Sequence, residues 1–310
     1  MAMDDYPRNL SDLERCFATE EACRSYLANL RWPAGFRCPR CGGAEAWSMG
    51  NGLLRCRSCE YKVSLTAGTI FEGTRKPLLM WFRAIWWVVG QKNGASAKGI
   101  QRMLELGSYQ TAWAWLHKMR RAMVRPDRDR LRGVVEIDET YVGGEKPGKR
   151  GRGALGKALV AVAVEDKGDD GIGRIRLAVV PNASQESLAA FATQTVEPGS
   201  TIRTDDWSGY GTLPEVGYPH TVVSSHEMKI AHLAVSLLKR WLTGTHMGAV
   251  SHRHLDYYLD EFTFRFNRRR ADHRGLLFFR LLQNAMMIEP TTYRQMTKGV
   301  RGPKPSNHKG

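Results

Sequence analysis

Three carboxylates stand in one short segment whose other residues are typical of a β-strand. The segment is VVEIDETYVGG, 134–144, and the carboxylates are Glu136, Asp138 and Glu139. Carboxylates are scarce in strands and are almost never fully buried without a partner. Either this is an edge strand with a charged outer face, or it is a central strand that presents a carboxylate to a metal ion. Because strand side chains alternate, Glu136 and Asp138 share one face and Glu139 points to the other.

A second acidic group closes another strand-like segment. The run STIRTDD, 200–206, is predicted to be a short strand that ends at Asp205 and Asp206, and alternation lets only one of these point inward. Carboxylates from two strands can share divalent cations. Such cations activate a water or a 3′-hydroxyl and stabilise the leaving oxygen in a displacement at phosphorus. These acidic residues therefore suit phosphodiester chemistry if the two strands are neighbours.

All six cysteines lie in the first fifth of the chain, and four of them form two CxxC pairs. The paired cysteines are Cys38, Cys41, Cys56 and Cys59. Each pair places two thiolates on a tight turn, and four thiolates suit a tetrahedral structural Zn²⁺. Redox CxxC pairs are the alternative, but their usual βαβ context is absent. The spacing therefore predicts a zinc ribbon, and Cys16 and Cys23, in a predicted helix, are interpreted as buried free thiols.

The composition narrows the class of protein. The 310 residues include 46 Lys and Arg against 31 Asp and Glu, a net charge of +15. Such an excess suits a polyanion, and nucleic acid is the usual case. The longest apolar segment, PLLMWFRAIWWVVG, is interrupted by Arg83, so no membrane span is expected. The first residues lack the features of a secretory signal, which favours a cytoplasmic protein.

The elements that must position these residues form several segments. The predicted organisation is a helical segment at 1–34, the zinc ribbon at 35–74, a helix-turn-helix segment at 75–126, a catalytic domain at 131–290 and a basic disordered tail at 291–310. The catalytic segment shows three strand-like runs, then alternating helix and strand, then helices. This is the α/β element order of the ribonuclease H fold, whose mixed sheet sets the first and fourth strands side by side. Asp138 and Asp205 would then meet.

The segment before the catalytic domain is predicted to bind DNA. AKGIQRMLEL, a turn at GSY and QTAWAWLHKMRRAM follow one another as helix, turn and basic helix. An ordinary helical hairpin with a tryptophan core is the alternative. The zinc ribbon before it and the basic residues Lys118, Arg120 and Arg121 favour DNA binding.

Four ordered blocks carry a resemblance to a known family. EIDETYVGG, TDDWSGY, SLLKRWLTGTH and HLDYYLDEFTFRFNRR resemble the signature blocks of DDE-type insertion-sequence transposases of the ISXO-like branch, which also carry an N-terminal zinc ribbon. The resemblance covers residues from about 15 to 290. It implies a ribonuclease H-like core that cleaves and joins DNA at transposon ends with two Mg²⁺ or Mn²⁺ ions. It also implies that Asp138 and Asp205 are the first two metal ligands.

The third ligand departs from the commonest pattern of the family. Many relatives have a glutamate seven residues before the lysine of the SLLKR block; here that position is His232 and the lysine is Lys239. Seven residues are nearly two helical turns, so both side chains share a face. The resemblance implies an Asp-Asp-His set, with Lys239 on a phosphate. Imidazole suits Mn²⁺ better than Mg²⁺. Glu227 is the alternative third ligand.

The resemblance also implies the partners. Double-stranded DNA, at the transposon ends and the target, would be bound by a homodimer or larger assembly in a bacterial nucleoid. The residues expected to contact DNA are Lys118, Arg120, Arg121, Lys239, Arg240, Arg268 and Arg269. Three alternatives remain: a non-catalytic DNA-binding regulator, a ribonuclease H-like nuclease, and a transposase copy that binds DNA without cutting it.

Overall fold

The computed structural model describes residues 6–50, 52–125, 127–143, 157–248 and 250–298. They form two compact units. The first contains the chain up to residue 126 together with the chain from 271 onward, and the second spans 127–270. None of the helices in the described ranges combines the length and apolar character that a bilayer crossing requires.

The first unit is helical apart from the ribbon. Its helices are α1 (Leu10–Cys16), α2 (Glu20–Arg31), α3 (Leu78–Gly90), α4 (Ala97–Met103), α5 (Tyr109–Ala122), α9 (Arg274–Ala285) and α10 (Tyr293–Thr297). The single helix predicted around Cys16 and Cys23 is two helices, because the Thr19 side chain accepts a hydrogen bond from the Ala22 N–H and begins α2. Trp81 on α3 stacks on Trp115 of α5 at a centroid distance of 3.8 Å.

Helix α9 belongs with these N-terminal helices rather than with the sheet. Phe278 packs against Phe17 and Phe82, with ring centroids 5.9 and 5.6 Å away. The sequence grouped 271–290 with the catalytic domain because these residues follow other helices without a visible break. Aromatic packing between segments that are distant in the chain places α9 with the N-terminal helices, and the order of elements in the sequence does not reveal this packing. The predicted disordered tail is helical over Tyr293–Thr297, and its residues 299–310 lie outside the described ranges.

The ribbon is a small antiparallel sheet. Its strands β1 (Ala46–Ser48), β2 (Leu53–Cys56) and β3 (Lys62–Ser64) pair in that order. Gly42 adopts a φ of +74° in the first cysteine turn, a conformation that glycine adopts without strain.

The second unit is built on a mixed five-stranded sheet. Its strands are β4 (Val134–Val142), β5 (Ala158–Asp166), β6 (Ile172–Val180), β7 (Thr201–Thr204) and β8 (His220–Val222). Their spatial order is β6-β5-β4-β7-β8, with β5 antiparallel to β4 and β6, and with β7 parallel to both β4 and β8. The mixed α/β core expected from the sequence is confirmed. The acidic strand β4 is central, which rules out the edge-strand interpretation.

Helices cover both faces of this sheet. Helix α6 (Gln185–Thr195) packs on the face that contains Val135 and Ile137. Helices α7 (Lys229–His246) and α8 (Leu255–Asn267) pack on the opposite face, where the alternate residues of β5 lie. Burial on both faces explains why β5 reads ALVAVAVE without polar alternation. Glu136 and Asp138 point toward the α7 side.

A buried carboxylate on β5 links the residues just before β4 to β6. Glu165, 1% exposed, accepts hydrogen bonds from the backbone N–H groups of Arg132 and Arg174 at 3.1 and 3.0 Å. Arg174 Nη2 adds a third at 2.6 Å. Burial alone would raise the pKa of Glu165, but the hydrogen bonds from Arg174 and the backbone outweigh it and lower this pKa.

Candidate active site

Parallel pairing of two strands brings the two aspartates together. Strand β4 pairs with β7 so that Glu136 lies opposite Arg203. Two residues further along each chain are Asp138, still within β4, and Asp205, immediately after β7 ends. The negative charge of Asp205 contributes to the raised pKa of Asp138, as expected for neighbouring carboxylates. Asp206, by contrast, is exposed.

The environment of Asp138 disfavours its ionised form. Burial raises its pKa to about 6, and the charges of Glu139 and Asp205 act in the same direction. A hydrogen bond from the Glu139 N–H to Asp138 Oδ1, 2.8 Å long, opposes the shift, as does His232. A divalent cation beside this carboxyl would compensate the clustered negative charge.

His232 is the histidine that reaches this carboxylate. Its Nε2 lies 3.5 Å from Asp138 Oδ2, and the imidazole is 49% exposed. Two ligands at right angles on a divalent cation, each about 2.1 Å from it, are about 3 Å apart. The pair is therefore spaced suitably for one shared cation.

Glu136 positions the helix that carries His232. This carboxylate is 3% exposed, and its Oε2 accepts a hydrogen bond of 2.9 Å from the Ala231 N–H in the first turn of α7. Helix α7 has no side-chain cap at its own N-cap residue, Met228. The first N–H groups of a helix need acceptors, and negative charge is favourable there. Glu136 therefore fixes α7 to β4 immediately beside His232.

A second contact, on the other face of β4, restrains the turn after Asp205. The Tyr210 hydroxyl donates a hydrogen bond of 2.6 Å to Glu139 Oε2. Tyr210 is 1% exposed, and burial raises the pKa of its hydroxyl. The Trp207 N–H donates to Asp205 Oδ1 at 3.2 Å, and its indole Nε1 donates to the Ala183 carbonyl at 2.9 Å.

These two positioning contacts were not found from the sequence. Glu136 and Ala231, like Glu139 and Tyr210, are far apart in the chain, and no spacing rule links them. The only signal was the presence of three carboxylates in one predicted strand, which demanded partners.

Glu227, the alternative third ligand, has a local role. Its Oε2 accepts hydrogen bonds from the Ser224 hydroxyl and N–H at 2.6 and 3.0 Å. The Ser224 side-chain hydrogen bond lowers the pKa of this exposed carboxyl. Glu227 therefore closes the turn that precedes α7, whereas His232 is the candidate that lies next to Asp138.

The four paired cysteines converge. Two Sγ–Sγ distances, Cys38 to Cys59 and Cys41 to Cys56, are both 3.6 Å. A tetrahedral zinc with Zn–S bonds of about 2.3 Å has S–S edges of about 3.8 Å. The four paired cysteines therefore fit a structural zinc ion.

The other two cysteines lie outside this cluster. Cys23 is fully buried, and burial raises its pKa to about 12, whereas Cys16 is partly exposed.

The candidate ligand atoms of the acidic site converge less closely than those of the cysteine site. Within the described residues, only the four cysteines bring three or more candidate ligand atoms within 4.8 Å of one another. Asp138, Asp205 and His232 do not meet that spacing as a set. The cysteines are therefore arranged like a closed structural metal site, and the three acidic-site residues are not.

Arg120, one of the three DNA contacts expected on α5, is buried in the structure, contrary to that expectation. Arg120 is 2% exposed, and Lys118 and Arg121 are partly buried. Burial lowers the pKa of Lys118. In a helix with tryptophans along one face, the basic residues that share this face are carried inward. The first turn, with Tyr109 and Gln110, is the exposed part of α5.

The other predicted DNA contacts divide into two groups. Lys239 and Arg240 are exposed on α7, with Lys239 two turns beyond His232. The guanidiniums of Arg268 and Arg269 instead lie 4.2 Å from the ring centroids of Phe264 and Phe266. These two arginines therefore also have structural contacts of their own.

Arg269 and Asn267 also hold the edge strand β6. Arg269 donates to the carbonyls of Gly173, at 3.2 Å, and Ile172. The amide of Asn267 donates to the Ile175 carbonyl and its Oδ1 accepts from the Ile175 N–H, at 3.2 and 2.8 Å. These side chains thus hydrogen-bond backbone groups on the outer edge of β6, where no further strand of the described residues pairs.

Comparison with known proteins agrees with this architecture. The family described as "ISXO2-like transposase domain" matches residues 130–267, and the "Transposase zinc-ribbon domain" matches 18–62. A Halobacterium salinarum protein, "Uncharacterized protein in transposable element ISH50", is 26% identical over 278 residues, covering 81% of this chain and 92% of that protein.

A solved structure also shows a weak similarity. It is titled "Crystal structure of the Mos1 Strand Transfer Complex"; the match is 13% identical, covers 72% of this chain and 79% of that one, and has a TM-score of 0.26. A score this low does not by itself establish a shared fold.

Proposed function

Because this chain belongs to the ISXO2-like family of DDE transposases, we propose that Asp138, Asp205 and His232 hold the divalent cations with which it cuts and joins DNA. The contact of 3.5 Å between His232 and Asp138 is the observation that carries this assignment. Two Mg²⁺ or Mn²⁺ ions would activate a water or a 3′-hydroxyl and stabilise the leaving oxygen. The imidazole ligand favours Mn²⁺ over Mg²⁺.

The protein's own groups have distinct roles in this proposal. Asp138 and Asp205 supply negative charge to a place that the scissile phosphate can approach. Exposed Lys239 contacts a phosphate next to the cut, since it lies on the same face of α7 as His232. Glu136, by accepting the Ala231 N–H, fixes the first turn of α7 relative to β4 and thereby sets the distance between His232 and Asp138.

Two other functions need to be separated from this one. A DNA-binding regulator has no use for Asp138 and Asp205 side by side near a histidine. A ribonuclease H-like nuclease would use the same ligands and differ only in the nucleophile, so detection of joined products decides between them. The substrate is double-stranded DNA at the transposon ends and the target, bound by a homodimer or larger assembly in the nucleoid.

The experiment supplies purified protein with duplexes of the element's ends and either Mg²⁺ or Mn²⁺. Asp138→Asn and Asp205→Asn should abolish both cleavage and joining while DNA binding persists. Asp206→Asn, the matched control at the exposed neighbour, should cut at the wild-type rate. Normal cutting by both inner variants would refute the assignment.

A further inference from the structure

One face of the zinc ribbon carries an aromatic and basic row. Cross-strand pairing places Trp47 of β1 opposite Arg55 of β2, and Arg55 opposite Lys62 of β3. The three side chains therefore lie side by side on one face of the sheet. We call the surface formed by Trp47, Arg55, Arg57 and Lys62 the ribbon face.

The ribbon face is separate from the zinc ligands. Cys56 follows Arg55 in β2 and is fully buried, so it points to the other side of the sheet. Trp47 is 47% exposed and Lys62 is exposed. A large exposed aromatic surrounded by cations is not required to hold the metal.

Two guanidiniums flank the tryptophan. The Cζ atoms of Arg55 and Arg57 lie 5.9 and 5.6 Å from the centroid of the Trp47 ring. Each arginine also has a carboxylate partner: Arg55 pairs with Glu60 at 2.7 Å and Arg57 with Glu45 at 3.1 Å. Exposed ion pairs of this kind contribute little stability, so a phosphate can replace the carboxylate at low cost.

The charge of the ribbon suits a polyanion. Residues 36–66 contain five Lys and Arg against two Asp and Glu. Guanidiniums bind phosphate through two parallel hydrogen bonds, and an indole can pack against a sugar or stack on an unpaired base. Phosphate contacts fix the register of a protein on DNA without reading its sequence.

We infer that the ribbon face is a DNA-backbone contact surface, in which Arg55, Arg57 and Lys62 bind phosphates and Trp47 packs against the strand. The inference rests on the proposed function, because the bound DNA is taken to be the end of the mobile element. It adds a second contact surface, away from the Asp138 site in sequence and in a different compact unit.

The test measures binding to DNA in the absence of cutting. Full-length protein with its zinc is titrated, without chelator or catalytic cation, into a labelled duplex of the element's terminal sequence and into a shuffled duplex of equal length. Affinity is measured over a range of salt concentrations. Zinc content and melting temperature are recorded for every variant, which identifies any that fail to fold.

Substitution of the side chains of the ribbon face should weaken DNA binding. Lys62→Ala should lose affinity several-fold on both duplexes and lower the slope of log K against log salt by about 0.9. Trp47→Ala should lose affinity several-fold on both duplexes, because the indole no longer packs against the sugar-phosphate strand. Lys62→Glu, at an exposed site, should weaken binding more than Lys62→Ala without loss of zinc.

Removal of the competing carboxylates should act in the opposite direction. Glu45→Gln and Glu60→Gln free Arg57 and Arg55, so affinity should rise several-fold. Arg15→Ala, an exposed arginine of α1 paired with Asp12 at 2.6 Å, is the matched control and should bind as the wild type does.

Wild-type affinity and salt slope in zinc-loaded Trp47→Ala and Lys62→Glu would overturn the inference. A loss confined to the terminal sequence would also overturn it, since backbone contacts do not distinguish sequences. Asp138→Asn should bind normally. Absence of cutting by a wild type that still depends on the ribbon face for binding would contradict the proposed function alone.

Discussion

Nε2 of His232 and Oδ2 of Asp138 lie 3.5 Å apart, although one residue is on a helix and the other on the central strand. Their proximity depends on a neighbouring pair, because Glu136 on the same strand accepts the Ala231 N–H of the same helix. Strand β4 and helix α7 are thus joined by two adjacent contacts, the hydrogen bond between Glu136 and Ala231 and the candidate ligand pair of Asp138 and His232.

Substitution of His232 tests its role as a ligand. His232→Ala should abolish cleavage, because it removes a donor from the cation site. His232→Glu should retain cleavage and shift the preferred cation from Mn²⁺ toward Mg²⁺, since carboxylate is the harder ligand. The measurement is the cleavage rate of a terminal duplex over a range of each cation. Wild-type rates for His232→Ala would instead point to Glu227, and Glu227→Gln is the companion variant.

Substitution of Glu136 tests positioning through α7. Glu136→Ala leaves the Ala231 N–H without its acceptor, which costs about 1–3 kcal/mol of folding free energy. We expect at least a tenfold slower cleavage, a higher Mn²⁺ concentration for half-maximal rate and faster hydrogen exchange at the Ala231 amide. DNA binding should not change.

Glu136→Gln keeps an acceptor oxygen and is the matched variant. It should restore the slow exchange of the Ala231 amide and much of the cleavage rate. If Glu136→Ala loses stability but keeps the Mn²⁺ dependence of the wild type, Glu136 supports the fold without setting the site.

Loss of zinc should unfold the ribbon and weaken DNA binding. The purified protein should contain one zinc per chain, and Cys56→Ser should contain none, because structural zinc sites contribute directly to folding. Atomic absorption and DNA titration measure the two effects. Cys16→Ser, at a partly exposed cysteine outside the cluster, should keep its zinc and its affinity. Full zinc content in Cys56→Ser would exclude the four-cysteine site.

The buried Glu165 predicts a pH dependence of stability. Its folded pKa is below the unfolded value, so its contribution is present above the unfolded pKa and is lost as the pH falls through the folded pKa. Glu165→Gln should lower the free energy of unfolding at pH 7 by about 2 kcal/mol. The difference from the wild type should shrink below about pH 4. Urea titrations across this range measure it, and a difference that does not change with pH would contradict the prediction.

Local spacing predicted some parts of the molecule and not others. The cysteine pairs needed only the short turns that the sequence shows, and the four sulfurs do converge. The strands around Asp138 and Asp205 were evident from β-branched residues and their bounding turns. That these two strands are neighbours was expected from the order of elements, and the structure pairs them in parallel.

The remainder depends on packing between distant segments. Arg120 is basic, which suggested a surface position, but the neighbouring tryptophans turn that side of α5 inward. Helix α9 joins aromatic side chains of the N-terminal helices that lie far away in the chain. Glu136 was assigned to the metal face of β4, and it does share that face with Asp138. Its partner, however, is a helix terminus, which a sequence pattern does not reveal.

The contacts of Asn267 and Arg269 along β6 have a consequence for how copies of the protein can associate. An unprotected outer strand offers its backbone to a neighbouring chain, which invites continuous sheets and aggregation. Here an amide and a guanidinium from α8 and the residues just after it already satisfy that backbone between Ile172 and Ile175. Edge-to-edge pairing of two copies along this part of β6 is therefore disfavoured, because its outward backbone groups already have partners within the same chain.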